Sequence, residues 1–187
     1  MNILSSPKTV SKAFPAKVII TIAEIILLVG IGALGVLLHA RFRIPFRMPG
    51  HWGVVYMALV FSGRLLSKKP YASSLSSVGA ASMSLLPLGF SNPFMPVLYV
   101  LPGFLVDVFY KLFSAKNKTV VFIALVAGLA YMTIPLIRII ISLTTGVVFG
   151  SFLSGFYFPL IMHFVFGACG GLIALGFFAL IKKFFKQ

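Results

Sequence analysis

The chain has 187 residues, 60% of them hydrophobic, with sixteen Lys and Arg against two Asp and Glu and a formal charge of +14. A mean hydropathy of +1.10 and a charged fraction of only 10% exclude a soluble protein, whose surface could not be wetted by so few polar groups. The basic residues sit in short loops between apolar runs and form no continuous stripe, which excludes a nucleic-acid partner and points to anionic lipid headgroups for most of them.

An apolar run longer than about 18 residues reads as a transmembrane helix, since roughly 20 residues span the hydrocarbon core and a helix pairs its own backbone there. Six such segments follow one another, giving an all-α membrane protein of one domain over residues 1–187. The first, Val18 to Ala40, is entered through Lys8, Lys12 and Lys17, and at about 23 residues it is too long for the apolar part of a cleaved signal. The second, Trp52 to Leu66, is short. The third, Tyr71 to Phe90, is rich in Ser, Ala and Gly. The fourth, Phe94 to Phe113, holds Pro96 and Pro102, and the fifth, Thr119 to Thr145, holds Pro135 and Arg138. The sixth, Phe156 to Ile181, runs into Lys182, Lys183 and Lys186. No linker or internal repeat sets off a second domain.

Short loops rich in Lys and Arg stay in the cytoplasm. Twelve basic residues fall on one side: three before the first span, Arg64, Lys68 and Lys69 in the second loop, Lys111, Lys116 and Lys118 in the fourth, and three at the end. The third and fifth loops, near Asn92 and over 150–155, have none. Both termini are therefore expected inside, in a multi-pass protein of the plasma membrane. Only Arg41, Arg43, Arg47 and Arg138 break the pattern.

Three of these lie in the stretch "HARFRIPFRMPGHW", residues 39 to 52, which this topology puts outside. Eleven of the twelve inner cations are Lys, whereas all four exceptions are Arg. Arginine offers a planar fork of donors that fits carboxylate or phosphate and desolvates more readily than an ammonium. Arg138 lies about 28 Å up a span that starts inside, at 1.5 Å per residue, close to the same face. The competing use is snorkelling to outer headgroups, or in Arg138's case bonding carbonyls freed by Pro135.

The three histidines, His39, His51 and His163, all fall in the outer half. They would suit a transition metal, yet no two share a helix at i, i+4 spacing and no thiol or carboxylate is near. Hydrogen bonding or ring stacking beside a ligand, by His51 and Trp52, is the reading preferred. Glu24 and Asp107, the only acids, lie in the inner half, where Asp107 can pair with Lys111 or Arg64. That leaves a proton- or sodium-coupled carrier without its usual carboxylates. The lone Cys169 reads as a small buried packing residue, with no disulfide or metal framework. Ser154 and His163 are nine residues apart around one helix start, unlike the separate helices of a rhomboid-type protease, and no enzyme is expected.

Six spans in under 200 residues, "YVLPGFLVDVFYKLF" (Tyr99 to Phe113) and the Gly-rich ending "FGACGGLIALGFFALIKKFFK" together resemble the substrate-binding S components of energy-coupling factor (ECF) transporters. The resemblance implies a small-molecule uptake receptor that is not itself an ATPase, in keeping with the lack of a phosphate-binding loop motif. It implies partners too: a transmembrane coupling protein and two cytoplasmic ATPases. Mapped onto this chain, the ligand site takes in Arg43, Arg47, His51, Trp52, Asn92, Tyr99, Arg138 and His163, for an anionic or polar, vitamin- or precursor-like substrate. No cofactor and no catalytic residue is expected. The alternatives are a divalent-metal-binding S component that uses the outer histidines, and a stand-alone secondary carrier or scaffold. Small residues four apart, which S components often carry on the first helix, occur here instead at Ser77-Ala81 and Gly167-Gly171.

Overall fold

The structure is a computed structural model that describes residues 16–42, 48–90, 92–113, 119–153 and 155–185. These form six α-helices and no strand: α1 (Ala16–Arg41), α2 (Gly53–Leu66), α3 (Ala72–Ser84), α4 (Met95–Leu112), α5 (Val120–Thr145) and α6 (Tyr157–Phe184). A single 3-10 turn, Gly150–Phe152, lies between α5 and α6.

The helix limits fall within three residues of the expected ones, with one exception. The third segment stops at Ser84 rather than Phe90, because Pro87 removes an N–H and Gly89 turns the chain at φ +85°. The start of α5 is capped by the Thr119 hydroxyl, which accepts from Phe122 N–H at 3.2 Å, and its end by Gly146 in the left-handed region.

Four helices, α1, α4, α5 and α6, are long and apolar enough to cross a membrane, which marks the protein as membrane-embedded and all-helical. Six spans were expected, the second of them short, and two of the six helices, α2 and α3, fall short of a span with 14 and 13 residues. At 1.5 Å per residue they are about 21 and 20 Å long, short of the roughly 30 Å hydrocarbon core.

The short helices sit inside. Helix α2 touches all five others, and Met57, Val60 and Phe61 on it are completely buried. Helix α3 is wedged between α1 and α4, and its serines and alanines explain how. A Cβ on Gly32 of α1 would strike the backbone carbonyl of Ser76, and one on Gly79 would strike that of Val29. Lipid tails are as apolar as Leu, so such close backbone approach, rather than hydrophobic exclusion, supplies much of the packing energy.

Both small-residue pairs are used within the bundle. Gly167 and Gly171 face Ala127 and Ile123 of α5, while Ser77 and Ala81 are buried. Cys169 differs from its expected role. It is exposed, on the α6 face that also exposes Val165 and Ile173 to the surroundings.

The two acids lie at the end of the bundle where α2 and α4 finish. Asp107 of α4 accepts from the Ser73 N–H (3.2 Å), the Ser74 N–H (2.7 Å) and the Ser74 hydroxyl (2.7 Å). Helix α3 has no side-chain cap of its own, so a carboxylate from another helix satisfies its first amides and favours its positive end. Of the two partners expected for Asp107, Arg64 is the one found, at 3.4 Å. Glu24 pairs with Lys69 at 3.3 Å and accepts from the Ser67 hydroxyl at 2.5 Å.

Candidate ligand-binding site

At the opposite end, a cavity of about 210 Å³ opens among α1, α4, α5, α6 and the loop before α2. Each wall has a local cause. The loop turns at Gly50, whose φ of +82° suits glycine, and a Cβ there would lie 2.7 Å from the His163 ring. That close seat lets Met48 to Trp52 form the roof. From α4 come Met95 and Tyr99, and from α5 come Tyr131, Ile134 and Arg138. The α5 trio is spaced i, i+3, i+7, which puts it on one face.

Five of the eight residues expected at the site line this cavity: His51, Trp52, Tyr99, Arg138 and His163. Asn92 does not. Its side-chain oxygen accepts from Phe94 N–H at 3.0 Å and shapes the turn into α4. Arg43 and Arg47 lie outside the described residues. His39, weighed in the sequence only as a metal ligand, also lines the cavity, and so does Tyr131, which sequence reasoning missed.

Polar contacts set the donor and acceptor roles. His163 Nδ1 lies 2.7 Å from the Pro159 carbonyl, which can only accept, so Nδ1 carries the proton. The Met48 carbonyl does the same for His51 Nδ1, also at 2.7 Å. His39 Nδ1 meets the Tyr99 hydroxyl at 2.8 Å. Below them, the Tyr56 hydroxyl donates to the Tyr99 carbonyl at 2.5 Å and accepts from Ser77 at 2.9 Å. The aromatic rings interlock: His39 packs on Trp52 with centroids 4.7 Å apart, and His163 stacks on Tyr131 at 5.0 Å. Within α4 and α5, Pro102 and Pro135 withdraw the N–H that would otherwise bond the carbonyls of Leu98 and Tyr131. Both of those residues line the cavity.

Arg138 stands out electrostatically. Its Nη2 lies 4.0 Å from the Met95 sulfur, its guanidinium sits 5.8 Å from the Phe149 ring centre, and its buried Nε has no hydrogen-bond partner. The only two side-chain carboxylates in the chain are Glu24 and Asp107, and both are paired at the far end. Arg138 thus lines the cavity with no side-chain carboxylate beside it among the described residues. Such a guanidinium is suited to a carboxylate or phosphate brought in from outside.

His39, His51 and His163 share the cavity wall, but among the described residues no three of His, Cys, Asp or Glu are grouped to hold an ion. A second cavity adjoins the first and shares His39, His51 and Trp52 with it, while Leu88, Gly89 and Phe90 form its other side. Comparisons with protein-family models, with curated proteins and with solved structures return no match.

Proposed function

We propose that the chain is the substrate-binding subunit of an ATP-driven importer of the ECF type, and that it captures a small anionic molecule near the outer face of the plasma membrane. In this reading α2 and α3 complete a six-span bundle with both termini inside, and a separate coupling protein with two ATPases drives release. The protein itself does no chemistry on its ligand. The observation that carries the proposal is Arg138, a guanidinium lining a cavity with no carboxylate of the chain left to pair with it. Around it, Trp52 and Tyr131 offer ring faces and the histidines offer fixed hydrogen-bonding edges. At about 210 Å³ the cavity is below the roughly 300–1,000 Å³ of drug-sized pockets, which favours a compact, vitamin- or precursor-like solute.

The test is to purify the protein gently, identify the retained small molecule by mass spectrometry, and reconstitute the protein alone in vesicles. The expected result is an anion that binds in the presence of chelator and is not accumulated. Accumulation driven by a proton or sodium gradient without ATP would show a stand-alone carrier instead, and binding abolished by chelator would show a metal receptor.

A further inference from the structure

The end of the bundle opposite the ligand cavity carries a separate cavity, of about 190 Å³, between the end of α2, the following loop and the end of α4. Three cations line it, Arg64, Lys68 and Lys111, together with Pro70, Asp107 and Tyr110. Asp107 pairs with Arg64 and offsets one of the three charges, leaving those of Lys68 and Lys111. Arg64 is anchored by the carbonyls of Ser67 and Lys69 and by Asp107, yet its buried Nε has no hydrogen-bond partner. Lys68 and Lys111 are exposed, and neither has an ion pair among the described residues. Close to the lining residues in the chain, Leu66, Tyr71, Leu112 and Phe113 are exposed apolar side chains.

A cationic pocket at the end of α4, a helix long and apolar enough to cross a membrane, with exposed apolar residues next in the chain, matches one chemistry: a phosphate head with hydrocarbon chains attached. We propose that this cavity is a binding site for the phosphate of an anionic phospholipid, held by Lys68 and Lys111 over Arg64, with the acyl chains along Leu112 and Phe113. Basic pockets of this kind at the ends of membrane helices recognise acidic headgroups through charge and donor count. The site is independent of the ligand cavity, and the proposal does not require the importer reading.

Native mass spectrometry of the full chain, released from nanodiscs of equal phosphatidylglycerol and phosphatidylcholine, tests it. Wild type is expected to retain phosphatidylglycerol preferentially. The K68Q/K111Q variant is expected to lose roughly 30-fold in that preference, about a factor of five for each lysine near the headgroup. A K182Q/K183Q variant removes the same charge from the end of α6, whose lysines do not line the cavity, and should keep the preference. Equal retention of the two lipids, or equal losses in the two double variants, would overturn the proposal. A third arm adds inorganic phosphate. Displacement of the lipid at millimolar phosphate would assign the pocket to the free anion and reject the lipid.

Discussion

Replacing Asp107 with Asn changes one charge and almost no volume, and the structure says what that charge holds. One carboxylate serves four donors, from Ser73, Ser74 and Arg64, and its side chain is only 8% exposed, beside an Arg64 that is 11% exposed. The Asn amide can accept through only one side, and its NH2 then faces either the Ser74 N–H or the Arg64 guanidinium, donor against donor. Breaking a buried pair from one side costs about 3–5 kcal/mol, because the remaining charge is left uncompensated. At roughly 2–4 °C per kcal/mol for a chain of this size, Tm should fall by about 6–20 °C. Thermal unfolding in detergent, read by dye accessibility or aggregation, measures it. Two companions isolate the cause. Arg64→Met combined with Asp107→Asn removes the orphaned cation and should recover part of the loss, whereas Glu24→Gln, in a more exposed pair, should change Tm far less. If Asp107→Asn melts within about 2 °C of wild type, the idea that this carboxylate ties α2, α3 and α4 together is wrong.

Arg138→Ala should weaken binding of the retained ligand by about 10- to 150-fold, the value of one charge-assisted contact at roughly 1.5–3 kcal/mol, and Arg138→Lys should recover only part; unchanged affinity by titration calorimetry would remove anion recognition from the site. Gly50→Ala puts a side chain on a left-handed residue, at about 1–2 kcal/mol, and presses on the His163 ring, so both Tm and ligand affinity should drop. Gly79→Ala overpacks the α1–α3 contact and should cost about 1–3 kcal/mol, while Gly30→Ala, with nothing within 4 Å of its Cβ, should be neutral or slightly stabilising by thermal unfolding. In a Cys169→Ala background, a cysteine at Asn92 should react with an impermeant thiol reagent applied to intact cells and one at Ser5 should not; the reverse pattern would invert the topology.

Helix positions were legible because, in lipid, length and hydropathy are nearly sufficient to define a span. The exception is instructive: Leu85 to Phe90 is as apolar as a span, and only Pro87 and Gly89 mark it as a turn. The depth of α2 and α3 within the bundle was less legible, since shortness alone does not say which helix is surrounded. Cys169 shows the corresponding blindness. Apolar residues face both the lipid and the core, so an apolar neighbourhood could not tell its exposed position from a buried one. The site was partly readable because polar residues at one end of apolar helices are few, and His51, Trp52, Tyr99, Arg138 and His163 stand out. Tyr131 was missed as one aromatic in an apolar span, although its spacing of seven from Arg138 was the available signal. Asn92 lies away from the cavity lining, and the Asn-Pro step is the signal of the turn it shapes.

Helix α2 begins at Trp52, its N-cap residue in the roof of the ligand cavity, and carries Arg64 in its last turn at the floor of the cationic one. It is a stiff rod about 21 Å long at 1.5 Å per residue, in contact with all five other helices. The same straight element that places Trp52 in one cavity places Arg64 in the other. One helix therefore sets the spacing between the two chambers, so a change that kinks or shortens α2 alters the geometry of both.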